Sequence, residues 1–261
     1  IKYYYSIKYQ IVMVRTIAFC NHKGGVGKTT STASIGVAMA RQGKKVLLVD
    51  LDGQANLTGI FVSADQVEKS IYNALVEKEA LPIIGIENNL DLVPSDLNMS
   101  AAEVKMSGLF NREMRLTHIL AKVKDNYDYI LIDCPPSLGV VTINAFFAAD
   151  DIYVPISPEI LPLKGMLMIE NVLEDLREAK PELAITGVFI TRFDSRKNIN
   201  KAVEEEVRKQ YANVIFNTHI RDNVSLSECP GANCSIFDYD TKSKGAQDYL
   251  NLTREILERN K

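Results

Sequence analysis

Residues 23–29 read Lys23-Gly24-Gly25-Val26-Gly27-Lys28-Thr29, after the apolar run Thr16-Ile17-Ala18-Phe19-Cys20 and before small residues and helix formers from Thr30 to Arg41. Strand, glycine-rich turn and helix start, in that order, are the setting of a phosphate-cradling loop. Gly24, Gly25 and Gly27 lack a Cβ, so the backbone can take otherwise forbidden angles and aim its N–H groups inward. The helix that begins near Lys28 adds the positive end of its dipole. Lys28 is placed to reach β- and γ-phosphates, and the Thr29 hydroxyl is suited to Mg²⁺. The nucleotide-binding set is therefore Lys23, Gly24, Gly25, Val26, Gly27, Lys28, Thr29 and Thr30. One departure stands out: the usual pattern opens with a glycine where this chain has His22, with Lys23 beside it. A turn that only joined strand to helix would have no need of the Gly-Lys-Thr-Thr ending.

Two acidic positions extend the pattern. Tyr129-Ile130-Leu131-Ile132 is an apolar strand that ends on Asp133, the form of a Walker B element whose carboxylate holds Mg²⁺ directly or through water. A strand-end aspartate serves equally often as a turn or cap residue, and it is the pairing with a phosphate loop that gives it weight. Val46-Leu47-Leu48-Val49 closes on Asp50, with Asp52 two residues on, so both carboxylates can lie on one side of an extended chain.

Apolar runs alternate with amphipathic ones along the rest of the chain. Leu90–Val93, Ile152–Ile156 and Ile185–Ile190 read as further strands. Met166, Ile169, Val172, Leu173 and Leu176 recur at helical spacing, with Pro181 as the stop signal. Leu116, Ile119, Leu120 and Val123 form a second stripe, and Ala246, Tyr249, Leu250, Thr253, Ile256 and Leu257 a third. The expected fold is α/β: a doubly wound, mostly parallel sheet with helices on both faces, of the P-loop NTPase type. Ligands in such sheets sit at the carboxyl ends of strands, where the loop, Asp50 and Asp133 all fall. Residues 13–261 read as one ATPase domain, and residues 1–12, rich in tyrosine, as a leader outside it.

Composition narrows the function. With 261 residues and 30 Lys plus Arg against 33 Asp plus Glu, the net charge is −3, so nucleic-acid or membrane binding would need a local patch. The cysteines Cys20, Cys134, Cys229 and Cys234 are too scattered for a disulfide framework and lack the partners of a zinc site. No apolar stretch approaches the roughly 18 residues that span a bilayer, and a cytoplasmic protein is expected. No Asn-Lys-x-Asp guanine-reading motif occurs.

Lys-Gly-Gly-Val-Gly-Lys-Thr-Thr (23–30), Val-Asp-Leu-Asp-Gly-Gln-Ala-Asn (49–56) and Ile-Leu-Ile-Asp-Cys-Pro-Pro-Ser-Leu-Gly (130–139) together resemble the deviant Walker A, A′ and B boxes of the ParA/Soj-type partition ATPases. The likeness continues through Val154-Pro155-Ile156, Glu159, Leu163-Lys164-Gly165, Leu226-Ser227-Glu228, Tyr239-Asp240 and Ser243-Lys244-Gly245-Ala246. It implies ATP and Mg²⁺ as cofactors, and an ATP-driven homodimer closed face to face on its nucleotides. Lys23 would reach into the partner's site, Asp52 would position the attacking water and Asp50 would lie near the metal. Catalysis would then rest on Lys23, Lys28 and Asp52, and metal binding on Thr29, Asp50 and Asp133. The resemblance further implies nonspecific DNA binding, nucleoid association when ATP-bound, and a small DNA-binding partner protein that stimulates slow hydrolysis during plasmid or chromosome segregation.

Three departures from the family pattern bear on this. Gly53 stands where proline is usual, Ala55 where glycine is frequent, and Asp222 and Ser225 where relatives carry arginines of the DNA surface. The remaining basic candidates are Arg192, Arg196, Lys197 and Arg221, with Lys201 nearby and the acidic run Glu204-Glu205-Glu206 close behind. The alternative reading is a MinD-like positioning ATPase acting on a membrane or protein scaffold. The basic amphipathic tail of that subfamily is not seen after the last stripe, where the chain reads Glu258-Arg259-Asn260-Lys261.

Overall fold

Strand β1, Arg15–Phe19, lies inside a sheet whose remaining strands are β2 Val46–Asp50, β3 Ile84–Glu87, β4 Leu90–Val93, β5 Tyr129–Asp133, β6 Asp151–Ile156 and β7 Ile185–Ile190. The computed structural model describes residues 14–158 and 162–260, so the leader read at 1–12 and Glu159 lie outside the described residues. The sheet order is β3-β4-β2-β5-β1-β6-β7. All neighbours pair in parallel except β3 with β4.

The inner strands are mostly apolar because both faces of the sheet are covered. Alternate residues of β1 show this directly: Ile17 and Phe19 point into one core, Ala18 and Cys20 into the other. Helices α1 Lys28–Arg41, α2 Asn56–Phe61, α3 Ile71–Leu75, α4 Ala102–Met106, α5 Arg115–Leu120 and α6 Val140–Ala148 occupy the first half. Helices α7 Pro162–Leu176, α8 Asn198–Gln210, α9 Val224–Glu228, α10 Ile236–Tyr239 and α11 Lys244–Arg259 follow. One core takes α1, α2, α10 and α11; the other takes α3 through α8. This is the doubly wound sheet expected from the strand–helix alternation.

The consequence for function lies in where the connections diverge. Strands β1 and β5 are neighbours, yet α1 leaves β1 for one face and α6 follows β5 onto the other. A crevice therefore opens at their carboxyl ends, the usual ligand position of such sheets. The end residues share a register, Phe19 with Asp133 and Asp133 with Asp50.

Three boundaries differ from the sequence reading. Strand β3 is a four-residue edge strand whose residues alternate between half-buried and exposed, too short to announce itself. Helix α5 closes at Leu120, so Val123 lies in the following turn. Helix α7 stops at Leu176, five residues before Pro181, and the intervening turn leads into β7. Among the described residues no helix is long and apolar enough to cross a membrane.

Candidate active site

The loop between β1 and α1 owes its shape to glycines in the left-handed region, Gly25 at φ 72° and Gly27 at φ 90°. Gly27 is also the N-cap of α1 and offers no side chain to the first turn, whereas α11 begins on Ser243, whose hydroxyl accepts from Ala246 N. The first amides of a 14-residue helix thus face the loop without a side-chain acceptor, which suits an anion. Two side chains hold the loop from outside. Asn21 accepts from the Lys23 amide at 3.0 Å and donates to the Pro155 carbonyl at 2.9 Å, and Thr191 donates to the Val26 carbonyl at 2.8 Å.

Lys28 is buried, and its ammonium donates to the Lys23 carbonyl at 3.4 Å. The second lysine therefore folds back on the loop that the first one opens. Lys23 is exposed. Thr29, one residue into α1, donates its hydroxyl to Asp133 Oδ2 at 2.6 Å.

Asp133 and Asp50 are both fully buried at the ends of neighbouring strands. Asp50 Oδ2 accepts from the amide and hydroxyl of Thr58, at 2.8 and 2.7 Å, and Oδ1 accepts from the Asp52 amide at 3.1 Å. Burial raises Asp50 to about 6 despite those hydrogen bonds. Asp133 is pushed up further, first by burial and then by the charge of Asp50. Its Oδ1 is buried and has no hydrogen-bond partner. An orphaned carboxylate oxygen, a second buried carboxylate and a threonine hydroxyl form an all-oxygen donor set that fits a hard divalent cation such as Mg²⁺. Asp52 lies outside this buried pair, half-buried, with Oδ1 accepting from Gln54 N at 2.9 Å. The sequence-derived set Lys23, Lys28, Thr29, Asp50, Asp52 and Asp133 thus converges on one crevice.

Beside the loop lies a cavity of about 300 Å³, bounded by Gly25, Gly27 and Thr30 on one side and by Arg192, Asn223 and Tyr249 on another. Its position suits the nucleoside end of a nucleotide whose phosphates occupy the loop. Tyr249 of α11 meets Ser31 of α1 at 2.9 Å, tying the wall of this cavity to the phosphate-binding helix. Cys20 and Cys134 are buried thiols, Cys20 pushed up to about 12 by burial and Cys134 also well above its ordinary value, so they pack as small apolar side chains.

The basic candidates are brought together only in part. Arg196 and Arg221 border a second cavity of about 700 Å³, together with Lys244. Lys197 is exposed nearby, and Arg192 sits on the first cavity. Each arginine faces a carboxylate: Arg192 and Asp222 at 4.0 Å, Arg196 and Asp194 at 2.9 Å, Arg221 and Asp248 at 2.6 Å.

Sequence reasoning missed Thr58, Ser95, Asn21 and Thr191. Thr58 and Thr191 carry no local signal. Ser95 follows β4 at its carboxyl end, next to β2, and the strand-end rule that located Asp50 would have reached it once the strand order was known.

Comparison with known proteins agrees with this geometry. The family model described as an AAA domain matches residues 14–185. The chain is similar to the sporulation initiation inhibitor protein Soj of Bacillus subtilis, 41% identical over 94% of this chain and 98% of that one. It is similar as well to the chromosome partitioning protein ParA of Myxococcus xanthus, 38% identical over 94% and 88%. Among solved structures, the cobyrinic acid a,c-diamide synthase of Mycobacterium smegmatis with bound ADP and magnesium superposes with a TM-score of 0.82, at 32% identity over 95% of both chains.

Proposed function

The chain belongs to the ParA/Soj family of partition ATPases, and from that premise we propose an ATP-driven switch for segregating a plasmid or chromosome. Two subunits close face to face on their nucleotides, the closed dimer holds DNA without regard to sequence, and hydrolysis releases it. The observation that carries the reading is the Thr29–Asp133–Asp50 cluster, whose orphaned oxygen lies beside an uncapped helix and a buried lysine.

Each residue has a task that follows from its place. Lys28 neutralises charge between the β- and γ-phosphates, and the loop amides from Gly24 to Thr30 bind the phosphate oxygens. Thr29, Asp133 and Asp50 would hold Mg²⁺, which would supply further neutralisation of the triphosphate. Asp52, half-buried at the crevice, accepts a hydrogen bond from water and aims it. Lys23, at the exposed start of the loop, delivers a second cation to the nucleotide of the facing subunit. Catalysis of this kind is positioning and electrostatics, so a site completed by a partner turns over slowly alone and is stimulated by a small DNA-binding protein.

Sedimentation with ATP, with ADP and without nucleotide tests the dimer: ATP alone should double the mass. A second reading, action on a protein scaffold in place of DNA, is favoured by one observation: Arg192, Arg196 and Arg221 each face a carboxylate. Retention of the ATP-loaded protein on DNA separates the two.

A further inference from the structure

We infer that Ser95 is a positioning residue for hydrolysis, acting on the backbone of Asp52 from the exit of β4, a segment that carries none of the motif residues. The inference rests on the reading of Asp52 as the residue that orients water.

Four residues from three segments close a ring of hydrogen bonds. The Asp52 amide donates to Asp50 Oδ1 at 3.1 Å, and the Thr58 amide and hydroxyl donate to Asp50 Oδ2. The Thr58 hydroxyl accepts in turn from the Ser95 amide at 2.8 Å. The Ser95 hydroxyl then donates to the Asp52 carbonyl at 2.7 Å, which closes the ring. Asp52 is thereby held at both its N–H and its C=O, while its side chain stays at the crevice.

The two bonds that Ser95 makes are separable. Its amide supports Thr58, and hence Asp50, whatever the side chain. Only the hydroxyl reaches Asp52. The Asp52 carbonyl also accepts from Ala55 N at 2.9 Å, a bond within its own turn, so loss of the hydroxyl leaves no orphaned carbonyl. Ser95 is 2% exposed, and alanine, one atom smaller, fits the space it occupies. What the hydroxyl contributes is a fixed distance between the β2 turn and the β4 exit. The same exit segment crowds the turn again at Gly53, where a Cβ would lie 2.7 Å from the Ser100 amide nitrogen. Orientation of a reacting water is sensitive to such displacements.

Basal ATP hydrolysis by Ser95→Ala, by Asp52→Asn and by the double variant tests this as a cycle. Ser95→Ala should lower kcat about fivefold, the worth of one ordinary hydrogen bond, with KM for ATP and affinity for Mg²⁺–ADP within about twofold. In the Asp52→Asn background the serine change should cost nothing further, because it acts through the group already removed. Should Ser95→Ala fold poorly, Ser95→Cys keeps the shape with a weaker donor, and its rate should fall between wild type and Asp52→Asn. A Ser95→Ala rate equal to wild type beside a slow Asp52→Asn overturns the inference, as does an equal loss in both backgrounds. A wild-type rate in Asp52→Asn overturns the reading of Asp52 instead.

Discussion

Asp50 and Asp133 stand directly opposite each other on adjacent parallel strands, both fully buried, and only Asp133 keeps an oxygen without a partner. Burial resists the ionisation of both carboxylates, and the charge of Asp50 adds to it at Asp133. Nothing about a stable core calls for that arrangement. The proposed Mg²⁺ site would account for it, and the cost of burying the pair is measurable.

Asp133→Asn should stabilise the nucleotide-free protein while abolishing Mg²⁺-dependent hydrolysis. The amide oxygen can still accept from Thr29, and the charge opposite Asp50 disappears. A carboxyl whose pKa is higher folded than unfolded takes up a proton on folding, so its penalty is absent below the unfolded value near 4. It grows as pH rises through the higher folded value. The advantage of the variant should therefore be small at pH 5 and larger at pH 7.5, where Tm should rise by about 2 °C or more. Thermal unfolding at the two pH values decides it; an equal or lower Tm at pH 7.5 would show that neither burial nor the charge of Asp50 penalises an ionised Asp133.

The two lysines of the loop should separate by phenotype. Lys28→Ala should abolish ATP binding, because its buried ammonium is the cation folded against the loop. Lys23→Ala should keep measurable nucleotide affinity but weaken both dimerisation and hydrolysis by about tenfold or more, the scale of one charge-assisted bond. Calorimetry with an ATP analogue and sedimentation of the same samples distinguish them. Wild-type dimerisation and turnover in Lys23→Ala would remove the face-to-face arrangement.

Much of this site is legible in the sequence, and the reason is local. Asp50 and Asp133 close apolar runs, and Lys28 and Thr29 follow one across a short glycine-rich turn, so each signal lies within a short window. Ser95 and Thr58 contribute through contacts that the order of strands creates, 43 residues from Asp52 in one case and 37 between the two in the other. One pairing within the basic cluster is hidden for the same reason: Arg221 is held by Asp248, 27 residues on, and no local pattern reveals that pair. Strand β3 escaped because four residues at a sheet edge bury only alternate side chains and leave no apolar run.

Gly53, where the family pattern has proline, is explained by Ser100. A Cβ at Gly53 would stand 2.4 Å from the Ser100 hydroxyl and 2.7 Å from its amide nitrogen. Gly53→Ala must therefore push the turn or the β4 exit aside, next to Asp52. Turnover should fall by about fivefold or more, given that a misplacement near 1 Å costs on the order of a hundredfold, while ADP affinity changes little. Wild-type turnover in this variant would mean that the turn absorbs the shift without moving Asp52.

The basic surface invites a different experiment from the one its sequence suggests. Arg221 donates to Asp248 from its side chain and its backbone, so changing it to glutamate would place two carboxylates together and damage the anchor of α11. Arg196 and Lys197 are exposed, and among the described residues Arg196 pairs with Asp194 in its own turn, which makes them the cleaner probes. If the closed dimer holds DNA there, binding should require ATP, show no base preference and weaken steeply with salt as phosphates are neutralised. Arg196→Glu with Lys197→Glu should lower DNA affinity by tenfold or more and flatten the salt dependence, with ATP-driven dimerisation intact. Asp194→Asn, which removes the charge that Arg196 pairs with, should move affinity the other way. Gel shifts at about 50 mM salt, a permissive condition for electrostatic contacts, read all three proteins; no association by the ATP-loaded wild type would direct the switch to a protein scaffold, with the carboxylates facing the arginines as the cause.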